Sequence, residues 1–212
     1  MEKEDLKKHI DDLSEIRLMM QRASKFISLS GLTGILAGVF AIIGALIAYW
    51  YIYIFYPSAK EPFVFKFTTL ENDAIFFLII LSSIVFVLSI FFGILLTTRN
   101  SRKKNLPLWD ISSKKVVVNL AIPLFTGALF ILYLIFKGNY FLVIPLSLIF
   151  YGLSLINAGH FTYSDIKYLG FIEIILGFFC VLFIDYSLFI WAIGFGFMHI
   201  IYGVLMYFKY ER

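Results

Sequence analysis

"AIFFLIILSSIVFVLSIFFGILLTT", residues 74–98, contains no charged residue and no proline. About 20 apolar residues in a helix cross the hydrocarbon core of a bilayer, with a range of roughly 17–25. This stretch is therefore long enough to span a membrane. It also lacks the polar–apolar alternation that a lipid-facing barrel strand needs. Working outward, uncharged runs of similar length cover residues 26–59, 116–136, 138–164 and 186–208, and residues 168–184 add another interrupted only by Glu173. The chain has 212 residues, 61% of them hydrophobic and 15% charged, with mean hydropathy +0.90. Those values exclude an ordinary soluble domain.

The expected fold class is an all-α polytopic membrane protein with six transmembrane helices. The spans are placed at about 29–55, 74–98, 116–136, 140–158, 168–184 and 187–208. Residues 1–28 form a charged segment before them, residues 29–208 the transmembrane domain, and residues 209–212 a short tail. With six spans, only Lys60, Lys66 and Lys137 fall on the opposite side from all other Lys and Arg residues. The positive-inside rule then places both termini in the cytoplasm. The net charge of +4 is thus a topology signal. It gives no support for nucleic acid as a partner, because no nucleic-acid-binding motif surrounds the basic residues.

Within residues 3–27, Leu6, Ile10, Leu13, Ile16, Met20, Ala23 and Ile27 recur every third or fourth position, which puts them on one helical face. Two readings are open: a helix lying on the cytoplasmic membrane surface or on the protein's own loops, and a docking helix for a partner through residues 1–25. In the first span, Gly31, Gly34, Gly38, Ala41, Ala45 and Ala48 form an unbroken stripe of small residues. Small residues let helix backbones approach closely in lipid, either within one chain or between copies in a homo-oligomer. The segment "RNSRKKNLPLWDISSKK", residues 99–115, supplies Arg99, Arg102, Lys103, Lys104, Lys114 and Lys115. Such a basic loop is expected to lie on anionic lipid of the inner leaflet, each charge near the surface being worth about 1 kcal/mol.

The last two hairpins align with each other. "FTGALFILYLIFKGNYFLVIPLSLIFYG" ends in Tyr151-Gly152, and "ILGFFCVLFIDYSLFIWAIGFGFMHIIYG" ends in Tyr202-Gly203. Gly127 matches Gly177, and Gly152 matches Gly203. The first hairpin fits through Gly38 and Gly93, so three hairpin repeats are expected. In this alignment Gly34, Pro123 and Glu173 occupy one equivalent position of the odd spans, and Ser89, Leu148 and His199 another of the even spans. Folding the last hairpin about residue 186 sets position 173 opposite position 199. A carboxylate inside a span must be paired, protonated or facing water, and His199 is the partner this register offers. Three roles are open to the pair: a polar clasp between the fifth and sixth spans, proton or ion handling, and ligation by His199 with His160. Pro123 and Pro145 are expected to kink the third and fourth spans.

The glycine-rich patterns "GILAGVFAIIG", "FIEIILGFF" and "IIYGVLMYF" resemble those of the HdeD-like family of small bacterial membrane proteins, associated with acid resistance. That resemblance implies a six-span fold and a role in envelope stress. A separate bacterial integral membrane family fits the same features. The long N-terminal segment, the basic loop and the Phe-rich loop before the second span depart from the compact pattern. The single cysteine, Cys180, permits no disulfide within one chain, and no Cys/His spacing suggests a metal or other cofactor. No GxSxG, HExxH or P-loop motif is present, so no residue is nominated as catalytic. The expected function is that of a non-catalytic membrane protein, related to envelope stress or serving as a subunit of a membrane assembly. The alternative is a small proton-coupled transporter or channel using Glu173 and His199.

Overall fold

A computed structural model describes residues 29–56, 72–104 and 109–211. The segment 1–28, with its amphipathic periodicity, and the loop carrying Lys60 and Lys66 lie outside the described residues. All the described elements are helical. Helix α1 is Gly31–Phe55, α2 Asn72–Lys103, α3 Ile111–Phe136, α4 Val143–Ala158 and α5 Asp165–Leu182. The last span is built from α6, Ser187–Trp191, a π-helical segment, Ala192–Met198, and α7, His199–Tyr210. Short 3₁₀ turns at Tyr140–Leu142 and Ile184–Tyr186 lead into α4 and α6.

Among the described residues, five stretches are long and apolar enough to cross a membrane: Gly31–Phe55, Asn72–Lys103, Ile111–Phe136, Tyr140–Ala158 and Ile184–Tyr210. Helix α5 has 18 residues, and the three charges Asp165, Lys167 and Glu173 within them keep it out of that set. The protein is a multi-pass helical membrane protein. Its outward surface is apolar, as lipid demands: Phe76, Phe86, Val87, Ile94, Phe125 and Leu132 are all exposed.

Local chemistry sets several helix ends. Asp110 and Ser113 form a capping box at the start of α3, with Ser113 N donating to Asp110 Oδ1 at 2.6 Å and Asp110 N to Ser113 Oγ at 2.9 Å. After α3 the chain turns at Gly138, whose φ of 76° suits glycine. The start of α1 is capped from the far end of the sequence. Gly31 N donates to Glu211 Oε1, and Ser30 Oγ donates to Glu211 Oε2 at 3.1 Å. A carboxylate there satisfies an orphan amide and sits favourably at the positive end of the helix dipole.

The packing order runs α2, α1, then the π segment and α7, with α5 and α4 following and α3 at the far edge. Two glycine crossings hold it together. A Cβ on Gly31 would lie 2.4 Å from Gly203 O and 2.5 Å from Tyr207 N, and one on Gly38 would lie 2.5 Å from Gly196 O. At the α4–α5 crossing, a Cβ on Gly170 would lie 2.7 Å from Gly152 O, and one on Gly177 would lie 3.0 Å from Pro145 O. Gly31, Ile35, Gly38, Ile200 and Gly203 occupy in one crossing the places that Gly170, Ile174, Gly177, Ile149 and Gly152 occupy in the other. The small-residue stripe of α1 therefore faces helices of its own chain, with Ala41, Ala45 and Ala48 buried behind the glycines.

Two sequence expectations change. Pro145 falls in the first turn of α4, where its missing N–H would have had no intrahelical partner anyway, so it starts the helix instead of kinking it. The last span is not a continuous α-helix. Residues Ala192–Met198 widen into a π-helix just before His199, a distortion that frequently marks functional positions.

Candidate functional site around Glu173 and His199

Three elements meet at this cluster: α5 brings Glu173, α4 brings Tyr151, and the π segment with the start of α7 brings Gly194 and His199. Glu173 is completely buried and His199 nearly so, at 0% and 5% exposure. Glu173 Oε1 lies 3.4 Å from His199 Nδ1. The contact is one of proximity, and neither Glu173 oxygen accepts a hydrogen bond from a described residue. The reason is directional. His199 Nδ1 lies 3.0 Å from Gly194 O, and a carbonyl can only accept, so the single Nδ1–H is committed to Gly194. In the neutral ring Nε2 then accepts from the Tyr151 hydroxyl, 2.8 Å away. In a protonated ring both nitrogens donate and the hydroxyl accepts.

The backbone makes this arrangement possible. The wide π turn brings the Gly194 carbonyl within reach of the ring five residues later. Gly194 also leaves the space that the carboxylate fills: a Cβ there would lie 2.6 Å from Glu173 Oε2 and 2.8 Å from Leu148 Cδ2. The imidazole is flanked by aromatic rings, with Tyr151 at 5.3 Å and Phe195 at 5.7 Å between centroids. These rings, together with the fully buried Leu148, surround the polar groups with apolar surface.

Tyr151 and Gly194 were not legible as site residues. The Tyr151-Gly152 pair stands out in the sequence as a repeat marker, but its role as a partner of His199 depends on which face of α4 meets the π segment. One signal pointed that way: Ser147, Tyr151 and Ser154 are spaced by four and three, a polar stripe on an otherwise apolar helix. The Tyr202 hydroxyl, from the equivalent Tyr-Gly pair, is buried without a hydrogen-bond partner among the described residues.

The remaining predicted residues lie elsewhere. Arg99, Arg102 and Lys103 are exposed on the last turns of α2, and Lys114 and Lys115 on the first turn of α3. Lys104 instead donates to Tyr210 O at 3.3 Å, and Lys115 Nζ sits 5.8 Å above the Phe161 ring. His160 is away from His199 and pairs with Lys167 Nζ at 3.0 Å. Among the described residues no group of three or more His, Cys, Asp or Glu side chains converges to hold a metal.

A second polar cluster ties the last turn of α7 to the first turn of α5. Lys209 Nζ and Tyr210 Oη each lie 2.8 Å from Asp165 Oδ2. The Lys209 hydrogen bond holds the Asp165 carboxyl below its ordinary value of 3.8. Nearby, the Tyr163 ring stacks on Tyr210 at 4.0 Å, and burial pushes the Tyr163 phenol up to about 12.

No family model, curated protein or solved structure matches this chain.

Proposed function

We propose that this chain is a non-catalytic, six-span integral protein of the bacterial inner membrane, with both termini cytoplasmic, acting as a subunit of a membrane assembly. In this reading His199, held between Gly194 and Tyr151, is a polar clasp joining α4 to the last span beside α5. The observation that carries it is where six serine and threonine hydroxyls of the spans point. Ser82, Ser83, Ser89, Thr126, Ser147 and Ser154 each donate to a carbonyl of their own helix. Asn157 reaches only across to Asn119 O. A conduit requires a chain of polar groups leading away from the Glu173–His199 cluster, and these bonds turn inward to their own backbones instead. A role in envelope stress rests on the HdeD-like resemblance.

The three-hairpin architecture belongs to the same proposal. It is supported by the matching crossings of Gly31 with Gly203 and of Gly170 with Gly152. The third crossing that such a repeat would contain, between α2 and α3, has Leu120 where the others have glycine. Its counterpart Gly93 has nothing nearer than Thr33 at 3.8 Å. Leucine at a point of backbone contact keeps that seam apart.

The second reading is proton-coupled transport through Glu173 and His199. One observation favours it: a fully buried carboxylate without a hydrogen bond lowers stability. Polar groups of that kind inside spans commonly serve ion or proton movement.

Proteoliposomes loaded with a pH-sensitive dye separate the readings. Proton flux above that of empty vesicles, abolished by Glu173→Gln, would select the transporter. Flux equal to empty vesicles supports the clasp. Orientation is tested by labelling intact cells with a membrane-impermeant thiol reagent. The buried Cys180 gives little background, so Lys60→Cys should react and Lys103→Cys should not.

A further inference from the structure

We propose that the basic end of α2 is a discrete binding site for one anionic phospholipid. An open, shallow cavity of about 570 Å³ there is lined, among the described residues, by Leu95, Thr98, Arg99, Arg102 and Lys103. These positions recur every three or four residues, so one helical face carries three cations at its end and apolar groups below. Phe91 continues that face one turn deeper, and Phe91 and Leu95 are exposed at 57% and 44%. None of the most apolar stretch of α2 is buried inside the protein, so this wall meets the bilayer directly.

The charges are available. Among the described residues no carboxylate pairs with Arg99, Arg102 or Lys103, whereas the adjacent Lys104 is drawn away to Tyr210 O. Two arginines one turn apart offer planar donor forks to phosphate oxygens, and the Thr98 hydroxyl adds a further donor. A lipid carrying a negative phosphate satisfies both parts of the face at once. Its head neutralises the cations at the depth where headgroups lie, and its acyl chain covers Leu95 and Phe91. Free phosphate would leave the apolar wall uncovered, and a zwitterionic lipid would bring its own cation to the three already there. The site depends on α2 lying in a bilayer but not on which side its basic end faces.

Native mass spectrometry of the full chain in neutral detergent micelles tests the proposal, with dioleoylphosphatidylglycerol and dioleoylphosphatidylcholine added in turn. One phosphatidylglycerol should be retained in preference to phosphatidylcholine. The Arg99→Gln/Arg102→Gln variant should weaken retention by roughly fivefold per charge, about 30-fold for both. The Lys114→Gln/Lys115→Gln variant, which removes the same charge outside the cavity, should change it little. An unchanged circular-dichroism melting midpoint in lipid-free micelles shows that the variants remain folded. Equal weakening by the two variants would reduce the site to diffuse attraction and overturn it. Displacement of the lipid by millimolar inorganic phosphate would assign the cations to a soluble anion instead. A dimer mass without retained lipid would give the face to a second copy of the chain.

Discussion

Replacing Glu173 and His199 separately should have opposite effects on stability. His199 makes two hydrogen bonds, to Gly194 O at 3.0 Å and to Tyr151 Oη at 2.8 Å. His199→Leu removes both and leaves a carbonyl and a hydroxyl stranded. Interhelical polar contacts in membranes average about 0.6 kcal/mol and reach about 2, so the loss should be about 1–3 kcal/mol. Glu173 has no hydrogen bond among the described residues, and a buried polar group in that state costs about 1–3 kcal/mol. Glu173→Met keeps the length of the side chain, removes the carboxylate and leaves the His199 bonds in place. The change should lie between zero and a gain of about 2 kcal/mol. Unfolding in mixed micelles of dodecyl maltoside and sodium dodecyl sulfate, followed by circular dichroism, measures both. The double variant completes the cycle, and its coupling should be under about 0.5 kcal/mol. A coupling of about 2 kcal/mol or more, with Glu173→Met destabilising, would show a charged pair holding the cluster. The commitment of the His199 N–H to Gly194 would then be wrong.

The glycines offer a sharper contrast. Gly31→Ala and Gly203→Ala drive a methyl group into backbone atoms 2.4–2.6 Å away and should cost about 1–3 kcal/mol in the same assay. Gly93→Ala meets only Thr33 Cγ2 at 3.8 Å and should be neutral or stabilising by up to about 1 kcal/mol through helix propensity. A destabilising Gly93→Ala would mean that the α2 face is packed after all. Glu211→Ala removes the remote cap of α1 and should cost about 1 kcal/mol; hydrogen exchange at the start of α1 should rise, and an unchanged rate there would dismiss the cap. Asp165 has a depressed carboxyl value, so its contribution is fully present above the ordinary value of 3.8 and is lost as pH falls through the folded one. Lowering the pH below about 4 should therefore destabilise the native chain more than Asp165→Asn, and identical pH profiles would count against the Lys209–Asp165 tie.

Much of the architecture follows from the sequence because the bilayer is a severe solvent. Every backbone polar group inside it must be bonded locally, so a long apolar run has little choice but to be a helix. The runs around Ala74–Thr98 and Val116–Phe136 mark α2 and α3 without any tertiary information. The glycine spacings are legible for a related reason: only small residues allow two backbones to touch, and Gly31, Gly38, Gly152 and Gly203 all sit at such contacts. The proximity of Glu173 to His199 was within reach too, since antiparallel folding about one turn fixes which positions face each other.

Hydrogen-bond direction was not within reach. Whether the His199 N–H turns to Glu173 or to Gly194 depends on the π-helical widening of Ala192–Met198, which no local propensity specifies and which arises where the last span packs on α1 and α5. Tyr151 becomes the other partner only because α4 presents that face to the same segment. Glu211 caps α1 across 180 residues of sequence, a contact that exists because the start of α1 packs beside α7, with Gly31 against Gly203 and Tyr207. Apolar patterning is read one residue at a time, whereas a polar partner is chosen by direction and distance in three dimensions, and only the assembled bundle supplies those.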